Sequence, residues 1–117
     1  MLFRRWACAQ ILPGDALPDP AARALFFACG DVPAEHEAEF NKWYDTEHIP
    51  QLAAVPGVLR ARRFFDPNGK PRYVALYELA DADVASSASW NAALATDWAK
   101  RIDTLTQDSE WILKTYV

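Results

Sequence analysis

Cysteine and histidine are both scarce in this sequence, which contains two of each. Cys8 and Cys29 lie in apolar stretches of the sequence and lack CxxC spacing. We therefore expect two reduced thiols rather than a disulfide framework, and a cytoplasmic protein. The histidines, His36 and His48, form neither an HxH nor an HExxH pattern. No dedicated metal site is therefore expected, and no cofactor is predicted.

Positive charge and long apolar runs are lacking as well. Twelve Lys and Arg residues against 16 Asp and Glu residues give a net charge of −4. Phosphate binding relies on clustered positive charge, so we expect no nucleic-acid partner. No apolar run approaches the ~20 residues of a membrane span, which predicts no membrane partner. The four glycines form no phosphate-binding loop.

Aromatic residues, by contrast, are abundant. They make up 13% of the 117 residues and include five tryptophans. A chain of this length forms one domain with one modest core. Aromatic side chains beyond the needs of such a core favour a buried interface or an apolar pocket.

The order of apolar patterns and turn signals predicts the fold. Strands are expected over residues 25–29, 58–65, 72–79 and 111–117, and helices from residue 34 to about 50 and from the serines at 86–89 to residue 105. The resulting β-α-β-β-α-β order predicts an α+β, ferredoxin-like domain with a four-stranded antiparallel sheet and two helices on one face. Residues 25–117 form this domain, and residues 1–24 are an N-terminal extension, either an edge strand or an arm.

The predicted strands carry large apolar groups on both faces. Tyr73 and Tyr77 alternate with Val74 and Leu76 along the third strand. Helices cover only one face of such a sheet, and a monomer would leave the other face exposed as an apolar patch. We therefore expect a homodimer in which two sheets face each other and enclose a cavity.

The helical run NKWYDTEHIP over residues 41–50 contains the leading candidate for catalysis. His48 ends the run with Asp45 three residues before it and Glu47 beside it. An imidazole needs only a small shift to titrate near neutral pH, so His48 is a candidate general acid/base and the two carboxylates are candidate orienting groups. The alternative is that His48 only caps the helix C-terminus.

Four further residues are candidates for substrate binding. Trp43 and Tyr44 precede the histidine on the same helix. Arg62 lies in an Arg-rich strand, where its planar guanidinium could bind a carboxylate or an enolate, and Tyr77 could donate a hydrogen bond into the cavity. The alternative for each arginine is a salt bridge to an acid such as Glu47 or Glu78.

The chain resembles a known superfamily from about Leu25 to Val117. The motif WYDxEHIP over residues 43–50, the VPGV at 55–58 and the strand YVALYEL at 73–79 are similar to those of dimeric α+β barrel proteins, and most of all to the EthD-like branch and related small proteins. This resemblance implies a fold and a cavity more than a reaction.

Three functions stay open at this point. The candidate residues favour cofactor-free acid/base chemistry, an isomerisation, cyclisation or dehydration, on a small aromatic, carbonyl or carboxylate compound. The alternatives are a cofactor-free monooxygenase and a non-catalytic ligand-binding or accessory protein of a catabolic pathway.

Overall fold

A computed structural model of the chain describes residues 9–12 and 21–115, so that Cys8 and much of the predicted N-terminal extension lie outside the described residues. The strands are β1 (Ala9–Leu12), β2 (Ala24–Asp31), β3 (Val58–Phe65), β4 (Tyr73–Leu79) and β5 (Gln107–Thr115). The helices are α1 (Glu37–Trp43), α2 (Ile49–Ala53), α3 (Ala88–Ala93) and α4 (Asp97–Leu105), with a π-helical turn at Tyr44–His48 and short 3-10 turns at Ala34–His36 and Ala82–Ser86.

The sheet is antiparallel throughout and has the strand order β1-β3-β4-β2-β5. Strands β2 to β5 with their connecting helices form the ferredoxin-like β-α-β-β-α-β arrangement, so the predicted fold class is confirmed. Strand β1 pairs with the outer edge of β3, with Ala9 opposite Phe65. None of the helices in the described part of the chain has the length and hydrophobicity of a membrane span.

The core lies between the sheet and the helices. One buried cluster joins Leu52 of α2 and Trp90 of α3 to Tyr77 of β4. A second joins Phe40 and Trp43 of α1 to Tyr73 of β4 and Ile102 of α4. The burial of these residues ties both helical segments to the same face of the sheet, as expected from the sequence.

The helical segment after β4 is broken, although its apolar spacing predicts one continuous helix. Ser87 caps α3 by accepting a hydrogen bond from the backbone of Trp90, and Thr96 caps α4 by accepting one from Ala99. A side chain that satisfies the backbone in this way starts a new helix. The interruption leaves Leu94 at the end of α3, 41% exposed.

The helical segment before β3 passes through Pro50 by means of the π turn. Proline has no N–H to donate, and its ring would collide with the carbonyl four residues earlier, at Thr46. The backbone N–H of Ile49 instead bonds to Tyr44, five residues back. The wider turn accommodates Pro50, so the proline alters the helix without ending it.

The sheet face away from the helices carries a buried ion pair. Arg62 of β3 and Glu78 of β4 lie 3.1 Å apart (Nη2 to Oε2), and both side chains are almost fully buried. The register of the strands places several half-buried apolar side chains on the same face: Leu25, Phe27, Phe64 and Ile112.

Candidate functional site

A cavity opens between the sheet and the helical layer. Its first lobe, of about 180 Å³, extends toward Trp43, Ile102 and Asp103. Its second lobe, of about 280 Å³, extends toward Tyr77 and Trp90. The two lobes share a small set of lining residues: Ala28, His48, Leu94 and Trp111. The cavity lies on the helix-covered face of the sheet, whereas the sequence predicts a cavity between two facing sheets.

His48 stands where the two lobes meet. Its ring stacks on Trp43, with centroids 4.1 Å apart and planes at 19°, and meets the ring of Tyr44 edge-on at 5.2 Å. In a regular α-helix, residues five apart point about 140° away from each other. The π turn between Trp43 and His48 brings them onto one face. The role of Trp43 and Tyr44 in substrate binding stays a prediction.

His48 is 5% exposed, and its environment keeps the imidazole uncharged. Burial, and to a smaller extent the charge of Arg63, lower its pKa from 6.5 to about 3. Its Nδ1 atom is sealed from solvent and has no hydrogen-bonding partner among residues 9–12 and 21–115. A neutral imidazole has one donor and one acceptor nitrogen, so His48 offers hydrogen-bonding capacity to a ligand in the cavity.

The two carboxylates near His48 do not orient it. Asp45 accepts a hydrogen bond from Arg63 Nη1 at 3.0 Å. Glu47 accepts hydrogen bonds from Trp43 Nε1 at 2.9 Å and from the Thr96 hydroxyl at 2.8 Å, which ties the π turn to the start of α4. The orienting roles expected for these carboxylates are therefore wrong, because stronger donors lie nearer to each of them.

The arginine that faces the site is not Arg62. Arg62 is on the opposite face of the sheet, paired with Glu78, and does not line either lobe, so its predicted role in binding a substrate stays a prediction. The neighbouring Arg63 points to the helices and is 2% exposed. Its guanidinium bonds to Asp45 and to Asn41 and lies 4.3 Å from the ring centre of Tyr44.

Two tyrosines belong to the surroundings of His48. Burial raises the pKa of Tyr44 to about 12, and the charge of Arg63 opposes part of that rise. Burial also raises the pKa of Tyr77 well above its ordinary value, Tyr44 adds to the rise, and Arg63 again opposes it. Both phenols therefore remain protonated at neutral pH. Tyr77 lines the second lobe, and its role in substrate binding stays a prediction.

The mouth and rim of the cavity include residues that the sequence pattern did not identify. Trp111, at 65% exposure, and Leu94 border both lobes, and Asp103 borders the first. Burial raises the pKa of Asp103. The alternation along β5 is a signal that could have placed Trp111 on the helix-covered face. Within the described residues, no group of three His, Cys, Asp or Glu side chains could hold a metal ion.

Searches of protein-family models and of curated protein sequences give no match to this chain. Solved structures with the same fold are nevertheless similar. A mutant of SnoaB, a cofactor-independent oxygenase from Streptomyces nogalater, superposes with a TM-score of 0.61 at 23% identity, over 81% of this chain and 93% of that one. An antibiotic biosynthesis monooxygenase gives 0.60 at 20% identity, over 80% and 98%.

A third similar structure is a mutant of MhuD with two manganese protoporphyrin IX molecules bound per active site. Its TM-score is 0.61 at 17% identity, over 80% of this chain and 94% of that one. At these identities the similarities establish the ferredoxin-like fold and leave the reaction open.

Proposed function

We propose that this chain is a cofactor-independent oxygenase that acts on a small aromatic compound bearing a hydroxyl group. The observation that carries the proposal is the uncharged, buried His48, whose ring borders both lobes of a cavity walled mainly by aromatic and aliphatic side chains. The similarity to SnoaB supports an oxygenase over the isomerase, cyclase or dehydratase favoured by the sequence.

The size of the cavity limits the substrate. Pockets for drug-sized ligands usually hold ~300–1,000 Å³. The two lobes together, at about 180 and 280 Å³, lie near the lower end of that range. They suit a compound of one ring or a few fused rings, bound against Trp43 and Trp90.

His48 would accept the proton of the substrate hydroxyl. In the empty cavity burial opposes a charged imidazole. A bound phenolate would place a negative charge beside the ring, and an opposite charge at such a distance favours the imidazolium. Arg63, buried behind Tyr44, would favour the phenolate in the same way. Its charge already opposes the rise in the pKa of both neighbouring tyrosines.

The ionised substrate would then react directly with O₂. The electron-rich ring transfers one electron to O₂, which gives a substrate radical and superoxide. These two recombine at a ring carbon, which forms a carbon–oxygen bond and a peroxide on the ring. Loss of the ring proton with cleavage of the O–O bond leaves a carbonyl on the ring and releases water. The substrate loses two hydrogens and gains one oxygen atom, and it supplies all four electrons that reduce O₂. The protein therefore needs to supply binding, proton transfer and shielding from water, and no bound cofactor.

The test is oxygen consumption with a panel of naphthols and hydroquinones under ¹⁸O₂, with one labelled atom expected in the product and the other in water. His48→Gln should lower turnover by about 10²–10⁴-fold if proton transfer is its role. His36→Gln, which alters a histidine outside both lobes, is the matched control.

Other results would support the other functions. Conversion of a ketone substrate without oxygen consumption would favour the isomerase, cyclase or dehydratase, for which a proton acceptor at His48 is equally suited. Tight binding without any turnover would favour an accessory protein. A Soret shift on titration with haem, absent in His48→Gln, would point to a haem protein and against the proposed reaction.

We further propose that two chains form a homodimer through the sheet face away from the helices. The half-buried Phe27, Phe64 and Ile112 on that face support this assembly. We also propose a cytosolic location, which the sparse, separated cysteines favour. The motif around His48 favours an EthD-like affiliation.

A further inference from the structure

Tyr77 is an unusual residue for its position. It lies in the middle of β4 at 1% exposure, with its ring edge-on to Trp90 at 5.3 Å and tilted against Phe26 at 6.2 Å. Its hydroxyl is sealed from solvent and finds no hydrogen-bonding partner within the described parts of the chain. A buried hydroxyl without a partner destabilises the folded state, and phenylalanine would fill the same space without that penalty.

The second lobe contains one other polar side chain. Tyr77 borders it from the sheet and His48 from the helical layer, and the remaining residues of its lining in the described chain are apolar: Phe26, Ala28, Leu52, Ala85, Trp90, Leu94 and Trp111. Two polar groups on opposite walls of an otherwise apolar space form a two-point hydrogen-bonding site.

We infer that Tyr77 determines substrate specificity by donating a hydrogen bond to a carbonyl oxygen of the ligand. The hydroxyl group of the same ligand bonds to His48. The inference rests on the proposed function in placing the substrate in this cavity, and it narrows the substrate class to uncharged aromatic compounds with both a hydroxyl and a carbonyl group. The ligand would supply the partner that the Tyr77 hydroxyl otherwise lacks.

The charges around the lobe favour a carbonyl over a carboxylate. None of the described residues that line the second lobe is a lysine or an arginine. Arg62 is on the other face of the sheet, and the guanidinium of Arg63 is already bonded to Asp45 and Asn41. A carboxylate would therefore be buried without a direct ion-pair partner, which is unfavourable.

Three ligands that differ in one group test this inference: para-hydroxyacetophenone, para-ethylphenol and para-hydroxybenzoate. Binding is measured by calorimetry on the wild type and on Tyr77→Phe. The wild type should bind para-hydroxyacetophenone about tenfold more tightly than para-ethylphenol, and more tightly than para-hydroxybenzoate. Tyr77→Phe should lose the preference for the ketone and bind para-ethylphenol as the wild type does.

Tyr73→Phe is the matched control. The Tyr73 hydroxyl donates to Glu37 Oε2 at 2.5 Å and accepts from Asn41 at 3.1 Å, and Tyr73 does not line either lobe. Its removal should lower the melting temperature and leave the ligand preference unchanged. Tyr77→Phe should melt at the wild-type temperature or above, because the hydroxyl that it removes has no hydrogen-bonding partner among the described residues.

The outcomes separate this inference from the proposed reaction. Unchanged ketone binding by Tyr77→Phe, or a clear loss of thermal stability in that variant, would overturn the role of Tyr77 even if His48-dependent oxygen consumption is found. A Tyr77-dependent ketone preference in a protein that consumes no oxygen with any hydroxy-ketone would support the two-point site and count against the oxygenase. Equal binding of the benzoate and the ketone by the wild type would overturn the narrowed substrate class.

Discussion

Acidification should destabilise the folded chain through His48. The folded protein keeps this imidazole uncharged, with its pKa lowered from 6.5 to about 3, first by burial and then by the charge of Arg63. Between these two values the unfolded chain binds a proton that the folded chain does not, so the free energy of unfolding falls as the pH falls. The contribution of His48 is fully present above about pH 6.5 and is lost progressively toward about pH 3.

The size of the effect follows from the shift in pKa. Each pH unit within the interval changes the free energy of unfolding by about 1.4 kcal/mol, and crossing the whole interval changes it by about 4–5 kcal/mol. Folded domains have total stabilities of only ~5–15 kcal/mol. Because His48 is 5% exposed, solvent screening reduces this estimate little. One histidine can therefore decide whether the domain is folded at about pH 4.

Urea unfolding of the wild type and of His48→Gln, followed by circular dichroism between about pH 7 and pH 4, measures this contribution. Glutamine cannot be protonated in this range, and the other titrating groups are shared by both proteins. The difference in unfolding free energy between the two should change by about 1.4 kcal/mol per pH unit below about pH 6.5, in favour of the variant as the pH falls. A difference that stays constant with pH would refute a buried, uncharged His48.

Three further predictions concern the remainder of the fold. Arg62→Met should lower the unfolding free energy by about 3–5 kcal/mol because it removes the guanidinium that pairs with the buried carboxylate of Glu78. Adding Glu78→Met should restore much of this loss in urea unfolding, and a single variant as stable as the wild type would contradict the prediction. Gly57→Ala should lower the unfolding free energy of the domain by more than about 1 kcal/mol. Gly57 has a φ of +92°, and an added Cβ would lie 2.5 Å from Val84 Cγ2. An unchanged melting temperature would count against this geometry. Sedimentation should show a homodimer of the wild type at micromolar concentration. Phe27→Glu, which places a charge on the sheet face away from the helices, should dissociate this dimer. A folded wild-type monomer would exclude the assembly.

The fold could be predicted because its signals are local. The turn after β3 begins at Asp66, whose carbonyl and carboxylate accept hydrogen bonds from Gly69 and Asn68, and these residue types favour turns in any context. The order of strands and helices follows from apolar periodicities interrupted by such turns. The break between α3 and α4 was not predicted, because the apolar spacing continues across it and only the cap at Thr96 marks the new start.

The candidate site could be predicted only in part. The spacing of residues made His48 and Tyr77 candidates, but it could not tell which face of the sheet bounds the cavity. The alternation of strand residues correctly separates Arg62 from Arg63, and the choice between them depends on where the cavity lies. The partners of Asp45 and Glu47 come from β3 and from the start of α4, distant in sequence, so no local pattern contains them.

The π turn contains one residue more than a regular α-helix would need over the same stretch. Deleting one residue between Tyr44 and His48 would let the segment return to regular α-helical geometry. Trp43 would then stand four positions before His48, and residues four apart lie on the same face of an α-helix. The two rings would stay together, but the ring of Pro50 would collide with the carbonyl four residues before it. An in-frame loss of a single codon at Thr46 would thus keep every side chain assigned to the cavity and remove the turn that accommodates Pro50.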